Sequence, residues 1–237
     1  MDQFLYNLYT LLFIGLSIAS VQLWWRSRSI GTLMTAAVMI ALLYENIVLA
    51  LGTAIGHGPV LEVLSYGRFI GYAVFPPLLI ISAVEMARRV GIRWAMRPAA
   101  RVISWVAALA LITLALGVEV IGRELGPVVL NDVARYMWVV KGVPPIAVIL
   151  MTFVVIGISF SIWRKIGYPW LLIGSIFLLV GAGATAGKYV LGAGVELIFM
   201  VFIAYSELWV LNWQYAAHAD TRPFEAPEAD YASAIGD

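Results

Sequence analysis

The chain contains no cysteine and only two histidines, His57 and His218, among its 237 residues. Without thiols it can form no disulfide bond, thiolate metal site or cysteine nucleophile. Both histidines lie outside the apolar runs, which excludes bis-histidine haem and a buried histidine metal site. Charge is also scarce, because 12% of the residues are charged and the formal net charge is +1. We therefore expect no metal site and no nucleic-acid partner.

Apolar sequence is what the chain has in excess, since 62% of its residues are hydrophobic. This share is well above that of soluble globular proteins. Seven apolar runs are each long enough to cross the roughly 30 Å hydrocarbon core of a bilayer. They cover residues 4–25, 30–55, 69–90, 102–121, 133–162, 168–191 and 195–213. The sequence predicts an all-α, polytopic membrane protein with seven transmembrane helices and the lipid bilayer as its main partner.

The connections between the runs are short, so consecutive helices should be antiparallel neighbours in one bundle over residues 1–214. Residues 215–237 are acidic and contain prolines, which predicts a flexible tail. Small residues at 181–187 should let the sixth helix approach a neighbour closely. The first run lacks a basic leader and a cleavage site, so we interpret it as a span rather than a signal peptide.

Basic residues predict the orientation of the bundle. Nine lie on one side of the predicted membrane and four on the other. The nine are Arg26, Arg28, Arg88, Arg89, Arg93, Arg97, Arg101, Arg164 and Lys165, and the four are Arg68, Arg123, Arg135 and Lys188. We expect a cell (inner) membrane location with the N-terminus outside and the acidic tail in the cytoplasm.

Three ionisable residues fall well inside predicted spans: Glu45, Lys141 and Glu207. Each costs on the order of 2.5–3.5 kcal/mol to insert at a helix centre, so each is a functional candidate. They lie roughly 15, 12 and 18 Å from the outer helix ends at the rise of an α-helix. Opposite charges at similar depth predict that Lys141 pairs with a carboxylate. Such a pair could fix the helix register, or it could serve transport or sensing.

The seventh run carries a polar stripe. Glu196, Ile203, Glu207 and Gln214 share one helical face, which should point into the bundle. The stripe could line a proton or water path, or it could hold helices together. Double prolines predict kinks in the third run, at 76–77, and in the fifth run, at 144–145 beside Lys141. Lys141 could form a Schiff base. Alternatively, a carboxylate and the backbone carbonyls that the prolines leave without an N–H donor could solvate its ammonium group.

The third run combines Arg68 at its outer edge with Phe69, Tyr72 and Pro77, followed by the apolar segment 78–81. In the second run, Tyr44 precedes the glycine- and leucine-rich segment 49–56. The fifth run starts with an Arg-aromatic-x-Trp pattern, Arg135 to Trp138, and the seventh contains Phe-Met-Val, Phe199 to Val201. The pattern resembles the microbial (type I) rhodopsin, or bacteriorhodopsin-like, family and implies its opsin-like seven-helix bundle.

The departures from that family concern its chemistry. Gly71 and Ser82 occupy the positions of the proton-acceptor and proton-donor carboxylates. In the register set by Phe199, Glu207 replaces the retinal-binding lysine and Ile203 replaces its partner aspartate. The resemblance therefore implies an opsin-like scaffold without a conventional retinal Schiff base. It leaves Tyr44, Tyr72, Trp138 and Lys141 as candidates for contact with a cofactor.

Three functional hypotheses follow. The first is a non-enzymatic, opsin-like sensor, accessory subunit or proton-linked conduit, built on an interior polar network. That network would comprise Glu45, Arg68, Tyr72, Lys141, Glu196 and Glu207. It would have no cofactor, or would bind retinal or another isoprenoid non-covalently. The second is a retinal-binding light-driven pump or photosensor with its Schiff base moved to Lys141. The third, a membrane-embedded lipid or carotenoid enzyme, ranks last because no catalytic cluster is found. A homo-oligomer or another membrane protein could be a partner.

Overall fold

The structure, a computed structural model, describes residues 2–140 and 144–219 and is predominantly helical. Its helices are α1 (Asp2–Ser27), α2 (Ile30–Ile55), α3 (Pro59–Val74), α4 (Leu79–Arg89), α5 (Pro98–Ala115), α6 (Ile146–Ile166), α7 (Trp170–Ala184) and α8 (Tyr189–Ala219). A 3₁₀ turn (Pro76–Leu78) joins α3 to α4, and a π-helical turn (Leu116–Val120) extends α5. Two strands, β1 (Leu125–Leu130) and β2 (Val133–Trp138), lie between α5 and α6.

Six helical segments of the described chain are long and apolar enough to cross a membrane. They are α1, α2, α3 with α4, α5 with its π turn, α6 and α8. The remaining apolar helix, α7, has 15 residues and is about 22 Å long at 1.5 Å per residue. The prediction of a mainly helical chain with several segments long and apolar enough to span a membrane is confirmed, whereas a seventh full-length span is not. The predicted tail at 220–237 lies outside the described residues.

The two ends of the bundle differ in composition. At the hairpin end, the starts of α1 and α8 meet the end of α2 and the strands, and Tyr6, Leu49, Val133 and Val190 form one apolar cluster. At the arginine end, α4 is joined to α5 by a loop, residues 90–97, with the exposed side chains of Arg93 and Arg97. Both names refer to position in the fold and imply no membrane side.

A β-hairpin replaces the predicted start of the fifth helix. Strands β1 and β2 pair antiparallel from Leu125↔Trp138 to Leu130↔Val133. The turn residues Asn131 and Asp132 have φ of 49° and 66°, as a tight hairpin turn requires. The predicted helix over 133–162 is therefore wrong at its start, and the structure is not purely α-helical. An Asn-Asp turn before a β-branched and aromatic segment was the signal for a hairpin.

The double proline at 144–145 also has a different role from the predicted kink. Helix α6 begins at Ile146, with Pro145 as its N-cap residue. Proline is tolerated at a helix start because the missing N–H has no intrahelical acceptor there. These prolines therefore precede α6 and do not bend it. Lys141 lies outside the described residues, so its predicted place within a helix is not described.

The hairpin is held against the end of α2. Thr53 Oγ1 donates to the carbonyl of Asp132 at 2.9 Å and accepts from the N–H of Ala134 at 3.2 Å. A Cβ atom on Gly52 would lie 2.1 Å from the Ala134 carbonyl oxygen, so only glycine allows this approach. The expectation of short connections throughout is thus wrong between α5 and α6, where a hairpin covers the bundle end.

The break in the third predicted span is confirmed. Helix α3 ends at Val74, the 3₁₀ turn contains Pro76 and Pro77, and α4 continues from Leu79. However, α3 begins at Pro59 instead of Phe69, because the half-polar segment before Arg68 is also helical. Arg68 therefore lies about 14 Å into the helix, at 1.5 Å per residue, and the prediction that it sits at the outer edge is wrong.

Small residues let α7 approach α8 closely. A Cβ atom on Gly174 would lie 2.6 Å from Cβ of Phe202, and one on Gly181 would lie 2.7 Å from Cγ1 of Val195. The interpretation of the 181–187 segment as a close-packing surface is therefore confirmed at Gly181. This contact attaches the shorter helix α7 to the long helix α8, which carries the polar stripe.

Candidate functional site

The predicted interior polar residues that the structure describes lie in three groups. The hairpin-end network comprises Tyr6, Glu45, Arg68 and Arg135. Tyr72 and Glu196 form a pair. The arginine-end network comprises Thr32, Thr35, Ser82, Arg89 and Glu207. The predicted interior residues are therefore divided among separate groups and do not form one cluster.

Arg68 is the centre of the hairpin-end network. Its side chain is 8% exposed, and Nη1 lies 3.5 Å from Glu45 Oε1. Nη2 donates to the Tyr136 carbonyl at 3.2 Å, and the guanidinium lies over the ring of Phe69, 4.4 Å from its centroid. The partner of Glu45 among the described residues is therefore Arg68, which was predicted to lie at an interface. The predicted partner Lys141 lies outside the described residues.

The hairpin contributes a second buried arginine to this network. Arg135, in β2, is 3% exposed, and its Nη1 lies 3.5 Å from the hydroxyl of Tyr6. Its guanidinium also faces the rings of Tyr6 and Tyr189, at 5.5 and 5.7 Å from their centroids. Arg135 was expected at the start of a helix, because the strand before the double proline was not recognised in the sequence.

Tyr72 and Glu196 connect α3 to α8. The Tyr72 hydroxyl donates to Glu196 Oε1 at 2.9 Å. No ion pair involves Glu196 in the described part of the chain, which distinguishes it from Glu45 and Glu207. Ionising a carboxyl group without a neighbouring cation is costly in an apolar interior. Glu196 is therefore the predicted network residue whose charge is least compensated by its surroundings.

A cavity of about 30 Å³ lies beside this pair. Its walls include Tyr72, Glu196, Pro76, Met151 and Met200, so it is apolar except where the two polar side chains reach it. This volume can hold a water molecule, since a site needs roughly 10–15 Å³ for one. Tyr72 also borders a narrower crevice shared with Glu45 and Gly71.

The arginine-end network surrounds Glu207, which is 1% exposed. Thr32 donates to Glu207 Oε2 at 2.9 Å, and Ser82 donates to Oε1 at 3.0 Å. Thr35 is 3.5 Å from Oε1 and 2.7 Å from the Ser82 hydroxyl. Arg89, at the end of α4, also donates to the carboxylate. Side chains of α2 and α4 thus donate hydrogen bonds to both oxygens of Glu207.

A second carboxylate near the arginine end is also paired. Glu85 is 5% exposed and accepts two hydrogen bonds from Arg101, at 2.7 and 3.1 Å. Arg88 Nε lies 3.5 Å from the same carboxylate. The start of α5 brings Arg101 to Glu85, so this buried carboxylate near the end of α4 has a cation partner. The bidentate contact fixes α4 against α5.

The predicted cofactor contacts are dispersed. Tyr44 donates to the Leu64 carbonyl at 2.9 Å and so ties α2 to α3. Trp138 packs against Phe69, with ring centroids 4.4 Å apart, at the hairpin end. Of the predicted cofactor residues that the structure describes, Tyr72 alone lines the cavity. Tyr44 and Trp138 do not line this cavity, so it does not bring these candidates for cofactor contact together.

Several network residues were not predicted from the sequence, namely Tyr6, Thr32, Thr35, Arg89 and Arg135. Hydroxyl side chains are common in membrane helices, so Thr32 and Thr35 carried no specific signal. Arg89 was considered only as one of the basic residues that predict orientation, although its spacing of seven from Ser82 places both on one helical face. That spacing was the sequence signal that could have placed Arg89 in the arginine-end network with Glu207.

Known proteins offer no assignment for this arrangement. No family model matches the chain, and no curated protein matches it either. Within residues 2–140 and 144–219, no group of three or more histidine, aspartate or glutamate side chains is placed to hold a metal ion. A function must therefore be inferred from the geometry of the polar networks.

Proposed function

We propose that this chain is a non-enzymatic, opsin-like membrane protein with seven crossings that conducts protons without a retinal Schiff base. The observation that carries this proposal is the contact between Glu196 and Tyr72 beside a water-sized cavity. A carboxyl group with a hydroxyl donor, no cation partner in the described chain and room for water is suited to taking up and releasing a proton.

The order of carboxylates along the bundle supports a path. Glu45 and Tyr72 border one crevice, and Tyr72 bonds to Glu196. Glu207 lies 11 positions after Glu196 on α8, which is about 16 Å along the helix axis. A proton that enters at the hairpin end would pass Glu45 and Glu196 and then reach Glu207.

An apolar segment separates Glu196 from Glu207. Phe199, Met200 and Ile203 are 2%, 1% and 1% exposed, respectively. Protons do not cross such a segment without water, so we interpret this conformation as closed. Opening would require water to enter between Met200 and the facing residues of α4 and α6. Conduction is therefore expected to be gated rather than constant.

The cavity size favours a proton role over a bound isoprenoid. Pockets for small molecules in proteins are about 300–1,000 Å³. The cavity beside Tyr72 is about 30 Å³, so a chromophore would need a large rearrangement of α3, α6 and α8. Adding all-trans-retinal to the purified protein is the direct control. We expect no visible absorbance band, whereas a band that survives borohydride reduction would favour the alternative with Lys141.

Proton flux into proteoliposomes tests the proposal. Vesicles would contain a pH-sensitive dye and a potassium gradient, and valinomycin would set the membrane potential. We expect acidification of the lumen by the wild-type protein, and a loss of roughly tenfold or more in Glu196→Gln, as for removal of a proton-transfer group. Glu62→Gln is the matched control, because Glu62 is an exposed residue of α3. Equal flux from Glu196→Gln and wild type, or no flux above empty vesicles under any potential, would refute the proposal.

A further inference from the structure

Arg135 is a buried cation that lacks a carboxylate partner in the described chain. It is 3% exposed, and its side chain contacts the hydroxyl and ring of Tyr6 and the ring of Tyr189. Rings and hydroxyls solvate a guanidinium only partly. Burying a cation that is not fully paired is costly, so a missing counter-charge is the feature that needs explanation.

The charged side chains around Arg135 have an excess of positive charge. Arg68 and Glu45 are within electrostatic range of Arg135. Two guanidinium groups therefore share one carboxylate, which Arg68 contacts at 3.5 Å. Glu196 is held by Tyr72 and contacts neither arginine. Residues 141–143, which follow the hairpin outside the described chain, are Lys-Gly-Val and supply no carboxylate.

Unpaired N–H donors of Arg68 and Arg135 also indicate an anion site at the hairpin end. The Nε atoms of Arg68 and Arg135 are both buried and have no hydrogen-bond partner in the described chain. Nε and Nη1 of Arg89, at the arginine end, also lack a partner, but there Glu207 balances the charge. Arg68 Nη2 donates to the backbone carbonyl of Tyr136, the residue after Arg135, so Arg68 contacts the strand that carries Arg135. Two free N–H donors and one uncompensated positive charge match the needs of a small anion.

We propose that Arg135 and Arg68 hold a small monovalent inorganic anion, of the chloride class, at the hairpin end of the bundle. The buried position of both Nε atoms favours a small ion over a phosphate or an organic acid. The bound ion restores charge balance and ties the hairpin to α3. This site does not depend on proton conduction, so its test uses binding and not flux.

Thermal unfolding of the purified protein in neutral detergent tests the site. Potassium gluconate would be exchanged for potassium chloride at constant ionic strength and pH, with bromide and sulfate as further arms. A ligand that binds the folded state alone raises the melting temperature in a saturable way. We expect saturable stabilisation by chloride and bromide and none by sulfate. A melting temperature that is independent of chloride would show that the buried donors bind water only, and would overturn the proposal.

Variants assign the effect to the arginines. Arg135→Gln should lose the saturable response, whereas Arg93→Gln, in the exposed loop at the arginine end, should keep it. If Arg135→Gln does not fold, Arg135→Lys keeps the charge but removes the Nε donor, and should weaken chloride binding about tenfold, the effect of one charge-assisted hydrogen bond. An unchanged chloride response in whichever Arg135 variant folds would overturn the assignment.

Glu45→Gln distinguishes an anion site from a purely structural role of the two arginines, because a structural role predicts no tighter binding of chloride. Removing this carboxylate deletes the negative charge that competes with the anion. Chloride should therefore bind roughly tenfold or more tightly in this variant. Unchanged or weaker chloride binding would contradict an anion site within electrostatic range of Glu45.

Discussion

Arg89, the last residue of α4, donates a hydrogen bond to the carboxylate of Glu207 in the interior of α8. The Arg89 side chain is 9% exposed, so a residue at the end of a span belongs to the bundle interior. Because Thr32 also donates to Glu207, this single carboxylate joins α2, α4 and α8. The pair closes the arginine end of the interior with charge that is internally balanced.

Breaking this pair on one side should destabilise the protein strongly. Arg89→Ala leaves the Glu207 carboxylate buried without its cation, which typically costs about 3–5 kcal/mol. The double variant Arg89→Ala/Glu207→Gln removes both charges and should recover part of the loss. Equilibrium unfolding of the protein in mixed micelles measures these free energies.

Arg93→Ala is the matched control for that experiment, because Arg93 is exposed in the loop that follows α4. Its effect should stay within about 0.5 kcal/mol. A loss in Arg89→Ala as small as that of the control would show that the pair does not contribute to stability. Strictly additive losses in the double variant would show that the two side chains are not coupled.

The apolar helices could be predicted from the sequence because the length of an apolar run decides whether a segment can span a bilayer as a helix. The same reasoning predicted that residues 76–77 interrupt a span and that Ile203 and Glu207 face the interior, since proline chemistry and helical period are local properties. Run length could not separate strand from helix at 133–138. That segment is as apolar as a helix, and the hairpin depends on a tertiary contact with Gly52.

The pairing of charges was not predictable from the sequence. Depth along helices suggested Glu45 with Lys141, whereas the structure pairs Glu45 with Arg68. Arg68 was not considered as a partner because the predicted start of the third span placed it at an interface. Once α3 begins at Pro59, Arg68 lies at a depth where a carboxylate is required. A shift in one helix boundary therefore changed the predicted network.

Gly52 should tolerate no side chain. In Gly52→Ala the new Cβ would lie 2.1 Å from the Ala134 carbonyl oxygen, so the hairpin must move away from α2. We expect faster amide hydrogen exchange at residues 133–136 and a lower melting temperature. Gly15→Ala is the control, because a Cβ atom there would meet nothing beyond its own helix within 4 Å in the described chain, and alanine favours a helix. Hairpin exchange in Gly52→Ala equal to that in Gly15→Ala would contradict the close approach.

Tyr168 should make stability depend on pH in the alkaline range. It lies between α6 and α7, packs against Trp209 with ring centroids 4.4 Å apart, and lies 3.3 Å from the Ser206 hydroxyl. Burial raises the pKa of Tyr168 from 10.0 to about 12. The folded protein therefore holds this proton more tightly than the unfolded chain does. The associated stabilisation is present below pH 10 and is lost as the pH rises towards 12.

Melting temperatures between about pH 8 and pH 12 test this effect. Tyr168→Phe should be less stable than wild type at about pH 8, by about 1 kcal/mol for one hydrogen bond, and the difference should shrink above about pH 10. Ser206→Ala keeps the titrating hydroxyl and should retain the alkaline loss. A constant difference between Tyr168→Phe and wild type across this range would contradict the raised pKa.

Single cysteines can establish the topology, because the chain has no cysteine of its own. Asn131 and Lys188 are exposed at the hairpin end, and Arg93 and Lys165 are exposed at the arginine end. We expect a membrane-impermeant maleimide to label Asn131→Cys and Lys188→Cys in intact cells. Arg93→Cys and Lys165→Cys should react only after permeabilisation, because basic loops stay in the cytoplasm.

The Lys165 and Lys188 positions flank α7 and decide whether this helix crosses the membrane. Opposite labelling of the two would establish a crossing by a helix of 15 residues, which requires local thinning of the bilayer or burial of its ends against α8. Labelling of both from one side would limit the chain to six crossings and would remove the basis for an opsin-like topology. Labelling of Asn131→Cys and Arg93→Cys from the same side would instead contradict the assignment of the two bundle ends to opposite membrane faces.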